Sequence, residues 1–471
     1  MGGEAPLQRG ASHGLSAQLA ARYAERIGQG LLPVGARLPS VRACSMHHGV
    51  SPSTVVSAYD QLQAQGLVEA RRQRGFFVRE RPSGAARENT TPALALSPPV
   101  DANALIRGMF TQSGGASGPG SGTLPAEWLD AALLQRALRH ACNDAAGLLR
   151  YGNPAGDSGL RAGLARRLAD QGIACAAGQL ITTTGATQAL DLVARTLLVP
   201  GDAVLVDEPG WTVEYARLSR LGIHLLPVPR TPLGPDLGVL EHLARTHRPK
   251  LYVTVSVLHN PTGCNLPLAA AHQVLRLAET HDFTIVEDDT YAWFAPVHVP
   301  RLAALDGLRR SVYLSGFSKI LAPSWRVGFM AAPPALVQRL IDTKMIASLT
   351  TPSVTEQAIA WCLDKGLLRR HAERVLDLLD AARNRTRRLA EDAGCRFVTP
   401  PQGLFGWIET GVDTDALAQA LLHQGWLLAP GSLFHAVRRP STLMRINFAT
   451  AQDARFWQAF KRWRERAVKA R

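Results

Sequence analysis

Residues 315–328 combine a lysine and an arginine in an arrangement that suits chemistry on a bound cofactor. Small residues precede Lys319, and Arg326 follows it seven positions later. The chain has six lysines against 46 arginines, so a lysine in this run stands out. A lysine amine can form a Schiff base with an aldehyde cofactor, and hydroxyl residues with an arginine can bind its phosphate. The run therefore predicts a covalent cofactor site, and the simpler alternative is an exposed loop lysine.

Four further runs carry residue types that suit the same ligand. They are residues 184–190, 207–211, 260–263 and 287–291. The first is a turn of small residues before a predicted helix, whose free N–H groups suit a phosphate. The last contains Asp288 and Asp289, and adjacent buried acids are costly unless a positive group meets them. A protonated pyridine nitrogen is such a group.

The elements that must position these residues are short apolar runs separated by helical stretches. The strand-like runs are residues 203–207, 251–255, 283–287 and 311–314. Such alternation predicts a mostly parallel sheet with helices on both faces, an α/β fold. Ligands of these folds gather at the carboxyl ends of the strands, and the candidate residues fall at such ends.

The composition bounds the class of protein. A chain of 471 residues with 46% hydrophobic residues can form two to four domains with a large core. There is no long apolar run and no signal core, so we expect a soluble, cytoplasmic protein without a membrane partner. The six cysteines lack metal-ligand or redox spacing, and we expect no metal site. A net charge of +14 favours polyanionic partners, although arginine-rich composition alone can produce it.

The first eighty residues have the signals of a winged helix-turn-helix. The predicted helices cover residues 15–27, 40–48 and 53–65, and the predicted strands cover residues 67–70 and 75–78. Ser40 and Ser51 can cap the second and third helices. The last helix of such a pair enters the DNA major groove, and a basic wing reaches phosphates. The alternative is a small helical module that docks on another protein.

This segment resembles the GntR family of bacterial regulators in residues 35–42, 49–55 and 66–69. The resemblance implies DNA contacts from Arg42, Ser51, Ser53, Thr54, Arg72 and Gly75. Family members often carry arginine in the recognition helix where this chain has Pro52 and Ser57. We expect the missing charge to come from the wing arginines, which are Arg71, Arg72 and Arg74.

Residues 140–471 resemble the class I/II aminotransferases, which are pyridoxal-phosphate enzymes of fold type I. The motifs follow the family's order: phosphate turn, aromatic residue, Asn-Pro-x-Gly, Asp-x-x-Tyr, lysine and two arginines. The resemblance implies that Lys319 binds the cofactor covalently and that Asp288 pairs with the pyridine nitrogen. It also implies that Asn260 and Tyr291 bind the ring hydroxyl and that Trp211 stacks on the ring.

The resemblance extends to the phosphate, the substrate and the second subunit. The implied phosphate residues are Gly185, Ala186, Thr187, Ser315, Ser318 and Arg326. The family often has serine or threonine where this chain has Gly316, and we expect Ser315 to supply that bond. Arg445 is expected to hold the carboxylate of an amino acid. Tyr151 resembles a tyrosine that reaches the cofactor of the other subunit, so we expect a homodimer.

Taken together, the chain resembles the MocR subfamily of transcriptional regulators. We expect a DNA-binding domain at residues 12–79, a linker at 80–100 and an aminotransferase-like domain with a small C-terminal α/β subdomain at 101–471. The implied function is regulation of transcription, with double-stranded promoter DNA, pyridoxal 5'-phosphate and an amine or amino-acid effector as partners. All groups needed for transamination are present, so an active aminotransferase with a vestigial DNA-binding domain is an open alternative. A scaffold without cofactor is a third.

Overall fold

The computed structural model describes residues 14–28, 32–33, 35–71, 75–79 and 118–469. The chain divides into a first unit, Met1–Leu96, and a second unit, Ser97–Arg471. The predicted linker at residues 80–100 lies outside the described residues, and the predicted domain bounds stay predictions. Within the described ranges, no helix has both the length and the apolar character that crossing a membrane requires.

The first unit contains three helices followed by a two-stranded antiparallel hairpin. The elements are α1 (Leu15–Gly28), α2 (Val41–His48), α3 (Pro52–Ala64), β1 (Val68–Arg71) and β2 (Gly75–Val78). Ser40 caps α2 by accepting the N–H of Ala43 at 3.2 Å, and Gly49 ends it at a φ of 62°. The predicted order of elements is confirmed, with bounds shifted by at most one residue.

One core holds this unit together. Val55, Tyr59 and Leu62 lie on one face of α3 and are fully buried, as their spacing predicts. The rings of Tyr23 and Tyr59 meet edge to face with centroids 5.9 Å apart. Tyr59 also donates its hydroxyl proton to the carbonyl of Pro39 at 2.9 Å. These contacts hold α3 at a set orientation against α1 and the connector.

The second unit is built on an eight-stranded sheet in the order β3-β10-β9-β8-β7-β4-β5-β6. Its strands are β3 (Leu180–Thr183), β4 (Ala203–Glu208), β5 (His224–Thr231), β6 (Gly234–Pro235), β7 (Leu251–Thr254), β8 (Thr284–Asp288), β9 (Ser311–Gly316) and β10 (Gly328–Ala331). The five central strands β9, β8, β7, β4 and β5 pair in parallel, and the three remaining strands are antiparallel. The prediction of a mostly parallel sheet is confirmed.

Helices cover both faces of this sheet. The helices of the second unit are α4 (Ala131–Ala141), α5 (Ala145–Leu148), α6 (Ser158–Asp170), α7 (Ala186–Leu197), α8 (Thr212–Arg220), α9 (Leu237–His247), α10 (Leu268–Thr280), α11 (Leu302–Asp306), α12 (Pro334–Ser348), α13 (Ser353–Asp364), α14 (Leu367–Asp392), α15 (Thr414–Leu422) and α16 (Ala454–Lys469). Val204 and Val206 of β4 belong to one core cluster with α7, whereas Leu205 belongs to another with α9 and α10. This alternation follows from the two-residue period of a strand.

A smaller antiparallel sheet follows near the C-terminus. Its strands, in the order β11-β12-β14-β13, are β11 (Arg396–Phe397), β12 (Phe405–Glu409), β13 (Ala429–Pro430) and β14 (Leu443–Asn447). Phe456 and Phe460 of α16 are fully buried in the core cluster that also contains residues of β12 and β14. The small C-terminal α/β subdomain is therefore confirmed.

Residues 118–123, which we call the entry segment, are hydrogen-bonded to this small subdomain. The backbone N–H of Asn447 donates to Pro119 at 2.8 Å, and its side-chain amide donates to Ser121 at 3.1 Å and Thr123 at 2.8 Å. A Cβ at Gly120 would lie 2.3 Å from the carbonyl carbon of Leu428, so only glycine fits there. The start of the described second unit is thus part of its C-terminal subdomain.

Candidate functional site

The carboxyl ends of the parallel strands open into one cavity. Asp288 is the last residue of β8, and Gly316 is the last residue of β9. The predicted site residues that line this cavity are Ala186, Thr187, Trp211, Asn260, Asp288, Tyr291, Ser318, Lys319, Arg326 and Arg445. Side chains from positions far apart in the sequence therefore meet at one edge of the sheet, where open α/β folds bind ligands.

Lys319 lies three residues after β9 and faces the cavity. Burial, together with the nearby guanidinium groups of Arg445 and Arg326, lowers its pKa to about 8. A lysine with such a pKa is neutral far more often near neutral pH than an ordinary lysine, and a nucleophilic amine must be neutral. The neighbouring carbonyl of Ile320 accepts a hydrogen bond from Nε2 of buried His371 at 2.7 Å. His371 therefore holds the backbone next to the lysine.

The start of α7 and Arg326 form an anion-binding corner of the cavity. Gly185 precedes α7 with a φ of 83°, and a Cβ there would lie 2.7 Å from Nη2 of Arg326. Arg326 donates to the hydroxyl of Ser318 and to the carbonyl of Thr184, both at 3.1 Å. The first N–H groups of a helix have no intrahelical acceptor and attract anions. Together these donors suit a phosphate.

Aromatic and carboxylate groups surround the centre of the cavity. Asp288 accepts hydrogen bonds from the backbone N–H of Thr290 at 2.8 Å and from its hydroxyl. Burial raises the pKa of Asp288, and the Thr290 bonds oppose that rise. Tyr291 packs edge to face on Phe405 with ring centroids 5.3 Å apart, and burial raises the pKa of its phenol. A planar, positively charged ring matches this environment.

Arg445 is the buried cation at the other end of the cavity. It is 1% exposed and donates to Oδ1 of Asn260 at 3.0 Å and to the carbonyl of Gly120 at 2.7 Å. Its Nε–H has no acceptor, and it forms no ion pair with any carboxylate in the described part of the chain. Burial lowers its pKa to about 10. A buried guanidinium without an acidic partner can receive a carboxylate from a ligand.

Three predicted residues of this site do not line the cavity. Ser315 is 1% exposed and donates its hydroxyl proton to the carbonyl of Asp289 at 2.8 Å, so the expected phosphate bond from Ser315 is wrong. The next residue, Gly316, faces the cavity instead, because successive strand residues point to opposite faces. Gly185 acts by leaving room for Arg326. Tyr151 is 84% exposed, and its role at a partner's site stays a prediction.

The cavity also contains residues that were not predicted from the sequence. Glu214, Arg217 and Thr290 line it, as does Gly122 of the entry segment. Glu214 lies three positions after Trp211 in the first turn of α8, and this helical spacing was the available signal. No sequence pattern indicated Gly122, because its position depends on pairing between distant parts of the chain.

The predicted DNA-contacting residues lie in the first unit. Ser51 caps α3, and its hydroxyl hydrogen-bonds those of Ser53 and Thr54 at 2.8 Å each. Arg42 is exposed on α2, and Gly75 begins β2 with a φ of 97°. Arg71 forms a 2.7 Å ion pair with Glu69, so part of its charge is already balanced. Arg72 and Arg74 lie outside the described residues.

Comparison with known proteins identifies the class of each unit. Residues 117–462 match the family described as aminotransferase class I and II, and the chain belongs to that family. Residues 15–78 match the family described as bacterial regulatory proteins, gntR family. A GntR unit followed by an aminotransferase unit is the architecture of MocR-type regulators, and this chain has it.

Individual relatives and a solved structure resemble this chain over much of its length. The HTH-type transcriptional regulator YjiR of Escherichia coli is 31% identical over 96% of this chain and 98% of its own length. The probable rhizopine catabolism regulatory protein MocR of Rhizobium meliloti is 31% identical over 78% of this chain and 76% of its own. Among solved structures, the α-aminoadipate aminotransferase LysN of Thermus thermophilus, complexed with N-(5'-phosphopyridoxyl)-L-leucine, is 26% identical. Its TM-score is 0.71, over 78% of this chain and 96% of LysN.

The cavity fits pyridoxal 5'-phosphate, which is the cofactor of this class. It offers an amine of lowered pKa on Lys319 for the aldehyde and a carboxylate on Asp288 for the pyridine nitrogen. Arg326 and the start of α7 offer donors for the phosphate, in a corner that a Cβ at position 185 would fill. The donor set is therefore complementary to each polar part of the cofactor.

Proposed function

We propose that this protein is a transcriptional regulator that binds promoter DNA with its first unit and senses pyridoxal phosphate, or an amine or amino acid, with its second. The observation that carries the proposal is the presence of both parts in one chain. A GntR unit precedes a cavity in which Lys319, Asp288 and Arg326 all face the same space. Relatives that match over nearly their whole length are named as regulators, which supports the same conclusion.

Different residues of the cavity bind different parts of the cofactor. Lys319 supplies the amine, Asp288 meets the pyridine nitrogen, and Asn260 with Tyr291 binds the ring hydroxyl. The phosphate is held by Ser318, Arg326 and the first N–H groups of α7, including those of Ala186 and Thr187, while Trp211 covers the ring. When bound, the cofactor supplies an aldehyde carbon that exchanges reversibly between amines. Such exchange lets the site respond to a free amine.

Arg445 connects effector binding to the beginning of the second unit. A ligand carboxylate needs donors from Arg445, and Nη2 of this residue already donates to the carbonyl of Gly120. Gly120 belongs to the entry segment, which follows the predicted linker in the sequence. An effector carboxylate therefore competes with the entry segment for the same guanidinium. A ligand that breaks this bond binds more tightly to the arrangement of the chain in which the bond is absent. A regulatory switch requires such a difference in affinity between two arrangements.

Exposed hydroxyl and cationic residues in the first unit supply the DNA contacts of the proposal. Ser51, Ser53 and Thr54 cluster at the start of α3, where N–H groups and small hydroxyls suit a phosphate or a base edge. Arg42 and the wing arginines add the charge that attracts the DNA backbone. We assign selectivity to the hydroxyl residues and most of the electrostatic affinity to the wing.

Assembly as a homodimer is part of the proposal. Leu149, Tyr151 and Ile346 are apolar or aromatic side chains that are 88%, 84% and 90% exposed. A Cβ added at Gly152 would lie 3.4 Å from the carbonyl oxygen of Thr351, so the segments that carry these side chains are neighbours. Exposed apolar clusters of this kind mark protein interfaces. Light scattering of the cofactor-loaded protein should give twice the chain mass, and a monomer at working concentration refutes the assembly.

An active aminotransferase is the second candidate function, and the intact cavity favours it. The chain also matches the 2-aminoadipate transaminase of Thermus thermophilus with 30% identity over 58% of its length. Steady-state turnover with amino-acid and 2-oxo-acid pairs separates the two candidates. Rapid turnover without any selective DNA binding supports the enzyme, whereas selective DNA binding that responds to ligand supports the regulator.

The decisive experiment is a footprint on the DNA upstream of the protein's own gene. It is carried out with and without pyridoxal phosphate and a panel of amines and amino acids. The wild type should protect one site, and ligand should change the protection. Lys319→Ala should keep DNA binding but lose the response, while Lys365→Ala, which alters an exposed lysine, should behave as wild type. Protection that is absent, or that is equal on random DNA, refutes the proposal.

A further inference from the structure

The cavity contains a carboxyl group to which none of the roles above has been given. Glu214 lies in the first turn of α8 and lines the cavity together with Asp288. Oδ1 of Asp288 accepts both hydrogen bonds from Thr290. Glu214 and Asp288 line the same cavity, and each carboxyl group shifts the pKa of the other. Two carboxyl groups can share a hydrogen bond only if one of them carries a proton.

The surroundings place that proton on Glu214. Burial raises the pKa of Glu214 well above its ordinary value, and the charges of Asp288 at the end of β8 and Asp207 in β4 raise it further. Arg217, on the same helix, acts in the opposite direction. Asp288 is stabilised as the anion by the donors of Thr290 and by Glu214 itself. Burial and the repulsion between the two carboxyl groups therefore favour a proton on Glu214 beside a charged Asp288.

We propose that Glu214 is a positioning residue for the cofactor: its protonated carboxyl donates a hydrogen bond to Asp288 and holds that carboxylate against the pyridine nitrogen. The inference rests on the proposed function, because it requires pyridoxal phosphate in the cavity. A carboxylate that accepts several hydrogen bonds is a weaker base than a free one. Glu214 therefore adjusts how strongly Asp288 holds a proton on the pyridine nitrogen, in addition to orienting it.

The test compares cofactor binding by the wild type, Glu214→Ala and Glu214→Gln. Loss of a hydrogen bond to a charged group should weaken pyridoxal phosphate binding by about tenfold in Glu214→Ala. Glu214→Gln should recover most of the affinity, because its amide N–H can donate to Asp288. Glu241→Gln makes the same chemical change on an exposed position of α9 and should match the wild type.

The pH dependence of the visible absorbance distinguishes this role from a structural one. As pH rises through the raised pKa of Glu214, the wild type loses the donor proton and gains a second negative charge beside Asp288. The absorbance of the bound cofactor should show a step at that point. Glu214→Gln has no proton to lose there and should lack the step, while its thermal unfolding stays close to that of the wild type.

Each outcome decides the question. Equal affinity and superimposable pH profiles for the wild type and both Glu214 variants overturn the proposal. The proposal is also overturned if Glu214→Gln binds the cofactor as weakly as Glu214→Ala. Hydrogen-bond donation from position 214 to Asp288 would then not determine the affinity. A wild type that binds no pyridoxal phosphate refutes the proposed function as well. A wild type that binds it and ignores both substitutions refutes only the role of Glu214.

Discussion

Substitution of Arg445 tests whether the effector carries a carboxylate. The structure gives Arg445 one unpaired Nε–H and two bonds, to Asn260 and Gly120, of which a ligand can replace the latter. A charge-assisted hydrogen bond contributes about 1.5–3 kcal/mol. Since a ligand must displace the Gly120 carbonyl, we expect a net contribution near one such bond. Arg445→Ala should therefore weaken amino-acid binding by roughly 10- to 150-fold.

The substitution also removes a donor from Asn260, so cofactor affinity can fall for a reason unrelated to the carboxylate. A double cycle, in which both the protein and the ligand are varied, isolates the contribution of the carboxylate to binding. Cofactor-loaded wild type and Arg445→Ala are each titrated with L-leucine and with isoamylamine, its analogue without the carboxylate, and the cofactor absorbance is followed. The amine should bind both proteins similarly after allowance for cofactor occupancy, whereas the amino acid should bind the variant much more weakly.

The quantity to compare between the two proteins is the ratio of the amino-acid affinity to the amine affinity. A ratio that is the same in wild type and Arg445→Ala would falsify carboxylate recognition by Arg445. The effector would then be a plain amine, or the cofactor alone. Arg445→Lys provides a graded comparison, because lysine keeps the charge and loses the planar fork. Its amino-acid affinity should fall between those of the wild type and the alanine variant.

Three other outcomes follow from the same structure. Borohydride reduction of the yellow, cofactor-loaded protein and peptide mapping should label Lys319 and leave the fully buried Lys344 unlabelled. Label on Lys344 contradicts the assignment. Burial and two arginines lower the pKa of Lys319 to about 8, and only the neutral amine attacks. The rate of cofactor attachment, followed by stopped-flow absorbance, should therefore rise with pH and level off above about 8. A rate that does not change with pH across this range contradicts the prediction. In salt titrations of DNA binding, replacing the wing arginines should weaken binding to all sequences. The slope of log affinity against log salt concentration should fall by up to about one unit per lost phosphate contact. Arg71 should contribute least, because Glu69 pairs with it. Thr54→Ala should instead reduce the difference in affinity between operator and random DNA, with a nearly unchanged salt slope. A variant that lacks all three wing arginines and keeps the parent slope shows that the wing does not touch phosphate.

Much of the fold follows from local sequence. Caps such as Ser40 and Ser51 mark helix starts, and apolar runs mark the buried parallel strands, so the order of elements is predictable. The same order places Asp288, Asn260 and Lys319 after strands, and the carboxyl ends of parallel strands share one edge. A cavity that contains these residues was therefore predictable without tertiary information.

The side on which a residue faces was harder to predict. Ser315 and Gly316 are adjacent in β9, and only the pleat of the folded strand decides which of them meets the cavity. The pairing of Arg71 with Glu69 follows from a strand period of two, but only once the strand itself is known. Glu214 of α8 and Asp288 of β8 line the same cavity, and contacts between separate elements leave no local pattern.

The entry segment has a consequence for the order of events during synthesis. Gly122 forms part of the cavity wall, and residues 118–123 are held by Asn447 and Arg445 of β14. A shortened chain made to study the second unit alone therefore has to begin before Gly118. On the ribosome, the first unit, which has a core of its own, emerges early, whereas the cavity cannot close until β14 has been made. A nascent chain thus completes its GntR unit long before the cavity of its second unit can form.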